Sequence, residues 1–396
     1  MKKEDEFEED EFEGEETLDP SSDNDSDDSY PSKNLKVERA QYSIFELYRK
    51  FKKSPPHLIM DPEFQRKDVW TDRQKSELVE SILMGIPLPL LYFTEDKYGN
   101  IIVVDGKQRL TALFEFIDNN FELTKLRILR KLKGKRFNNS EENQQKISNL
   151  DPLLNDENTL SPKLQSNLED YQLIAHVIKY PTEDRIKFDI FDRVNRGGTR
   201  LNNQEMRNAI YNGKSTRLLK KLSELPIFKD VTKNSVRSER MKDRYLIIRF
   251  LSFYLWKNYR LRDNEGAFID YKSDMNDFIG KTMDSINKMS DKEIENIENI
   301  FINTMENIYN ILGNDCFRLP SPNRKRPINM GLFEALSYLL SDSEVVKNIE
   351  LLKLKYNELV NDKDFNDSLI NVDNISRVKK RFEIIEIIKQ EILNAE

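Results

Sequence analysis

Four residues able to act on a phosphate stand within five positions, Asp105-Gly106-Lys107-Gln108-Arg109. A carboxylate can hold a divalent cation or orient a water. Lys107 and Arg109 are cations suited to phosphate oxygens, and Gln108 can donate or accept. The surrounding pattern tells which elements would position them. Ile101 to Val104 is an apolar run that reads as a buried strand. Leu110, Leu113, Phe114 and Ile117 then recur at helical spacing. A strand, a glycine turn and a helix start bring free backbone N–H groups to one point, where the helix dipole favours an anion. Taken alone, the pattern is better explained as a buried strand followed by a helix with a charged first turn, because so short a motif needs context.

Two further segments supply context. Upstream, Phe64-Gln65-Arg66-Lys67-Asp68-Val69-Trp70 precedes Thr71 and Gln74, whose spacing is that of a capping box. A helix is predicted from there, with Leu78, Val79, Ile82 and Leu83 on its apolar face and Gly85 at its end. Leu90 to Phe93 reads as a short strand, and Lys97-Tyr98-Gly99-Asn100 as the turn into the Asp105 strand. Downstream, a helix begun near Thr182 runs into Asp192-Arg193-Val194-Asn195-Arg196-Gly197-Gly198, where the glycine pair supplies a left-handed stop. Asn202 or Asn203 caps the next helix, through Glu205, Arg207 and Ala209. Singly, Arg66 reads as a loop arginine and the Asn195–Arg200 stretch as a basic turn.

Together, in order, F-Q-R-K-D-V-W, V-D-G-K-Q-R-L-T-A-L and F-x-R-V-N-R-G-G-x-x-L-N-x-Q-E-x-R-N-A resemble the N-terminal domain of the GmrSD-type restriction enzymes. That family is similar in core fold to the ParB/sulfiredoxin superfamily. The resemblance runs from about Val37 to beyond Glu334, with Asp243-Arg244, Arg249-Phe250, Arg326-Pro327-Ile328-Asn329 and Leu332-Phe333 also familiar. It implies a nucleotide-binding, NTP-hydrolysing module with Mg²⁺ or a similar divalent cation, used in defence against foreign DNA. The family's D-G-Q-Q-R falls on Asp105, Gly106, Lys107, Gln108 and Arg109, so Lys107 replaces the first glutamine. Its upstream Q-R falls on Gln65 and Arg66, and its N-x-x-G turn on Asn195 and Gly198. The implied roles are catalytic for Asp105, Gln108 and Arg109, and nucleotide-binding for Gln65, Arg66, Gly106, Lys107, Asn195 and Gly198. Asp105 is also the expected metal ligand.

Members of the family often carry a C-terminal H-N-H nuclease domain. That chemistry needs a histidine base and metal ligands, and this chain holds only His57 and His176, neither with a second histidine at ligand spacing. A stand-alone copy is expected, with any nuclease either on a separate subunit or absent. One cysteine, Cys316, speaks against structural zinc and a disulfide framework. No apolar run reaches the ~18 residues of a membrane span, and the N-terminus is acidic, unlike a secretory signal. A cytoplasmic protein is the expectation.

Charge is unevenly placed. Residues 1–30 hold 15 acids and 2 lysines, a net of −13, so the rest carries +6 when the total is −7. So acidic a tail cannot fold alone. It reads as a solvating extension or as an internal mimic of DNA occupying a basic groove. Lys125 to Arg136 carries seven bases and no acid, and Arg318 to Pro327 is a second basic loop. Lys131, Lys133, Lys135, Arg136, Arg324, Lys325 and Arg326 are the candidate DNA contacts.

An α+β chain is expected. Residues 1–36 form the acidic tail, 37–212 a small ParB/sulfiredoxin-like mixed α/β domain, and 213–396 an all-α domain. Residues 141–168 read as an insertion with weak helix. The expected function is an NTP-dependent module acting on foreign DNA. The alternative is a ParB-like, nucleotide-gated DNA switch with negligible turnover.

Overall fold

The computed structural model describes residues 12–13, 35–60, 70–138, 157–182, 186–187, 190, 202–238, 241–263, 265–321 and 326–395. The chain divides into two compact units, residues 28–201 and residues 202–396 together with 1–27. Each has its own hydrophobic core. The short strand β1 (Phe12–Glu13) belongs to the second unit.

The first unit is built on five strands: β2 (Val37–Ser43), β3 (Leu58–Ile59), β4 (Leu91–Glu95), β5 (Ile101–Asp105) and β6 (Gln172–Ile178). Their order is β2-β6-β4-β5-β3. The sheet is mixed, antiparallel at β2/β6 and β4/β5, parallel at β4/β6 and β3/β5. Among the described residues it is accompanied by α1 (Ile44–Lys52), α2 (Asp72–Leu83), α3 (Lys107–Ile117) and α4 (Pro162–Glu169).

Local chemistry sets these boundaries. Ser43 Oγ accepts the Glu46 N–H at 3.0 Å to open α1. Thr71 and Gln74 form the expected reciprocal box at the start of α2. Between β4 and β5, Asp96 Oδ1 accepts from the Tyr98 and Asn100 N–H groups, and Gly99 takes φ +79. Apolar residues of α3 and the sheet, among them Leu110, Leu113, Phe116, Phe93 and Ala175, form the core. The strand predicted over 90–93 is shifted to Leu91–Glu95. The carbonyls of Pro89 and Leu90 bind the Arg109 guanidinium instead of a neighbouring strand. Of the segment read as an insertion, residues 141–156 lie outside the described residues, whereas α4 is a regular helix with proline at its first turn.

The second unit is helical: α5 (Asn203–Ile210), α6 (Lys214–Glu224), α7 (Pro226–Val231), α8 (Lys242–Lys257), α9 (Met275–Lys288) and α10 (Asp291–Leu312). The short strand β7 (Ile328–Asn329) follows, then α11 (Met330–Leu340), α12 (Ile349–Asn361), α13 (Lys363–Ser368) and α14 (Ile375–Leu393). β1 pairs with β7 in parallel. Phe250, Phe253 and Leu255 of the aromatic stretch 250–259 are core, whereas Tyr259 at its end is exposed. Phe253 lies 5.1–6.1 Å from the rings of Trp256, Tyr271, Phe278 and Phe382. The α+β reading of the sequence therefore holds, with a mixed sheet in the first unit and a helical second unit.

A buried ionic lattice runs through the helical core. Arg249 donates to Glu334 at 2.5 Å and to Asp373 at 2.6 Å, and Arg381 donates to the other oxygen of Glu334 at 2.7 Å. Arg249, Glu334 and Arg381 are all fully buried. Burial opposes the Arg249 charge, but Asp373 and Glu334 outweigh it and hold its pKa well above the ordinary value. Cys316 is buried as well, which pushes its thiol up to about 12. Among the described residues, no helix is long and apolar enough to cross a membrane.

Candidate functional site

The Asp105–Arg109 segment spans the end of β5 and the first turn of α3, as its pattern predicts. Gly106 is the N-cap at φ +96, a left-handed conformation that L side chains rarely adopt. A Cβ there would lie 2.0 Å from Leu91 Cδ2, so both backbone and packing demand glycine. Glycine also offers no side-chain cap to the helix. The first-turn N–H groups, which have no intrahelical acceptor, therefore carry the positive end of the α3 dipole without a built-in partner from the cap residue.

A bulge aims the carboxylate. Phe93 pairs with Val103 while Tyr92 pairs with Asp105, so β5 carries one extra residue, Val104, at this point. Val103 and Val104 are both buried, and Asp105 emerges with its side chain 43% exposed.

Arg109 has a different setting from the one its type suggests. Its Nη2 donates to Asp105 Oδ2 at 2.9 Å and to the Leu90 carbonyl at 3.0 Å, and its Nη1 donates to the Pro89 carbonyl. The guanidinium ties the start of β4 to the Gly106 turn. Burial lowers its pKa, and the Asp105 carboxylate opposes that shift. Lys107 and Gln108 are half-buried in the first turn of α3. The structure therefore brings Asp105, Gly106, Lys107, Gln108 and Arg109 to one turn. Gln65, Arg66, Asn195 and Gly198 lie outside the described residues.

The basic segment 125–136 is an irregular loop with one 3-10 turn over Arg130–Leu132. Glu80 of α2, which the sequence reading missed, organises it. Its carboxylate accepts the backbone N–H groups of Arg127, Ile128 and Leu129 at 2.7–3.2 Å. Burial pushes the Glu80 pKa up, the three N–H donors push it down, and the balance lies below the ordinary value. The available signal was an acid set between Val79 and Ile82, on the buried side of an amphipathic helix. Lys131 and Lys133 are exposed, together with Lys125, Arg127 and Arg130. Lys135 instead donates to the Glu157 and Thr159 carbonyls, and Arg136 to the Asn119 carbonyl. In the other basic stretch Arg318 is buried and donates to Ser235 Oγ at 2.6 Å. Arg326 sits two residues before β7, and Arg324 and Lys325 lie outside the described residues.

His57 is exposed beside β3, and His176 lies within β6, its ring stacked on Tyr92 at 5.6 Å. The E-x-R-N part of the downstream motif serves α5. Glu205 and Asn202 cap it reciprocally. Arg207 is buried against Gln204, Asn276 and the Tyr245 ring, and burial lowers its pKa to about 10.

Residues 43–212 match the family model described as GmrSD restriction endonuclease, N-terminal domain. The match covers β2's last residue through α5 and includes all three motifs. No curated protein and no solved structure matches the chain.

Proposed function

We propose that this GmrSD-type N-terminal domain, which points to a restriction-like defence system, binds a nucleoside triphosphate at the N-terminus of α3 and hydrolyses it with a divalent cation. One observation carries the reading. An eleven-residue helix starts from a left-handed glycine with no side-chain cap, and a half-exposed carboxylate stands immediately before it. Backbone N–H groups at such a terminus favour phosphate.

The residues divide the work. The N–H groups after Gly106 and the Lys107 ammonium neutralise phosphate charge, and Gln108 orients nucleotide or water. Arg109 acts through Asp105, holding the carboxylate and the β4 start in register. Gln65, Arg66, Asn195 and Gly198 complete the nucleotide contacts. Magnesium is commonly held by one or two carboxylates plus substrate phosphates. A single Asp105 suits that arrangement, since among the described residues no three His, Cys, Asp or Glu gather. When bound, the ion adds charge neutralisation, which with positioning is most of what phosphoryl transfer requires.

The clasp on Arg109 also favours a second reading. A guanidinium tied to three protein acceptors is less able to follow charge developing on a phosphoryl group. That suits a ParB-like switch, in which nucleotide gates DNA binding and turnover is negligible. Phosphate release from ATP, GTP, CTP and UTP with Mg²⁺, with and without DNA, separates the two. Turnover abolished by Asp105→Asn supports hydrolysis. Stoichiometric binding without turnover, lost in Lys107→Ala, supports the switch. No binding of any of the four by wild type overturns both.

A further inference from the structure

The acidic N-terminal segment contributes a side chain to the helical core. Phe12 is only 4% exposed within that core, and its backbone lies opposite Ile328, with Glu13 opposite Asn329. Charge is opposed on the two approaches to this pairing. Glu8-Glu9-Asp10-Glu11 leads directly into Phe12, and Arg326-Pro327 leads directly into Ile328. Because the strands are parallel, β1 and β7 begin at the same end of the pair.

We infer that the β7 edge, with the slot that holds Phe12, is a docking site whose resident occupant is the chain's own acidic segment, and that the docked segment competes with nucleic acid for the Arg326 flank. This goes beyond the nucleotide reading and does not depend on it.

Three observations support the occupant. First, charge is complementary, with −13 on residues 1–30 and Arg324-Lys325-Arg326 just before β7 in the sequence. Tethering presents that acid at high effective concentration. Second, the dock is small enough to release. Among the described residues it rests on one apolar side chain and two paired residues, and β7 keeps its own support when β1 leaves. The Asn329 N–H donates to the Phe317 carbonyl at 2.9 Å, and the Asn329 side chain caps α11 through the Leu332 N–H at 3.0 Å. Third, the occupant's sequence occurs twice, as Glu6-Phe7-Glu8 and Glu11-Phe12-Glu13, so a second copy of the same key lies five residues upstream.

The test uses the full chain without nucleotide. Phe7→Asp/Phe12→Asp removes both aromatic anchors. Hydrogen exchange at Ile328 reads docking, and fluorescence anisotropy with a labelled duplex of about 30 base pairs at low salt reads competition. The expected result is faster exchange and about tenfold tighter duplex binding, the factor by which a mostly occupied site lowers apparent affinity, with the difference shrinking as salt rises. The substitutions add negative charge, which by itself weakens DNA binding, so tightening reports release of the segment. A second variant guards against core damage. Changing Glu8, Glu9, Asp10 and Glu11 to their amides leaves Phe12 in place and should also tighten binding, whereas amides at Asp23, Asp25, Asp27 and Asp28 should not. Unchanged exchange in the aspartate variant overturns the dock. Unchanged or weaker duplex binding in both the aspartate and the first amide variant, or equal tightening by the two sets of amides, overturns the competition.

Discussion

Arg109 reaches back one helical turn to the carboxylate of Asp105 at 2.9 Å, across the glycine that separates strand from helix. The same guanidinium holds the carbonyls of Pro89 and Leu90. One side chain thus joins three backbone segments, β5, α3 and the lead into β4. Whatever binds at this turn meets a carboxylate whose position is already set.

Replacing Arg109 therefore affects stability as well as function. Arg109→Ala leaves two carbonyls and a carboxylate without their charged donor, and should cost about 2 kcal/mol, read as a lower urea midpoint with unchanged slope. Arg109→Lys keeps the charge but cannot span three acceptors, and should fall between. If both variants match wild type in urea, the clasp has no structural weight and a direct ligand role is the better account of Arg109.

Gly106→Ala combines two penalties. It places a Cβ 2.0 Å from Leu91 Cδ2 and forces a left-handed φ on an L residue. Overpacking costs about 1–3 kcal/mol and the conformation about 1–2 kcal/mol. Gly106→Ala/Leu91→Ala removes the clash and leaves the backbone strain. The double variant should thus lose less from the glycine change than wild type does. Simple additivity in a denaturant double-mutant cycle would show that Leu91 is not what excludes the side chain.

Much of this was legible in the chain. The Thr71/Gln74 capping pair, a cap at Asn202 or Asn203, the strand before Asp105 and the helix after it all follow from local spacing, and the structure selects Asn202, paired with Glu205. The partners of Arg109 were not legible, because Pro89 and Leu90 lie about twenty residues away and offer only backbone oxygens. Nor was the fate of the basic runs. Lys135, Arg136 and Arg318 look like surface charge by composition, yet each is committed to carbonyl or hydroxyl acceptors. Residue type states what a side chain can donate, and only the fold decides which acceptor is near. The burial of Phe12 is a similar case, since nothing local in so acidic a stretch marks one aromatic as core.

The lattice around Glu334 gives a prediction in the helical unit. Its two oxygens separate two buried guanidiniums, Arg249 and Arg381. Glu334→Gln leaves both cations facing a neutral amide and should destabilise by about 3–5 kcal/mol. Arg249→Met/Glu334→Leu/Arg381→Met removes both guanidiniums and the carboxylate between them, leaves only the partly exposed Asp373 carboxylate without its Arg249 partner, and should recover part of that loss. Calorimetric midpoints of the two variants decide the matter. A triple variant no more stable than Glu334→Gln would mean that shape, not charge pairing, holds these positions.

Glu80 yields a pH prediction with a definite sign. Its three backbone donors hold the folded-state pKa below the ordinary value near 4.3. The folded protein thus binds the Glu80 proton less readily than the unfolded chain does. The resulting stability is fully present above the unfolded pKa and is lost as pH falls through the lower, folded value. Glu80→Gln should cost about 2 kcal/mol at neutral pH, since an amide presents one acceptor where a carboxylate presents two. It should also flatten this residue's share of the acid limb below about pH 4.3. Urea midpoints of both proteins from pH 7 downward supply the comparison. Because the 127–129 backbone carries Arg127 and leads into Arg130, Lys131 and Lys133, the same variant should loosen that basic loop. A constant gap between the two proteins down to the lowest pH at which both fold would place the contribution of Glu80 in its packing, and remove the charge of its carboxylate from the explanation.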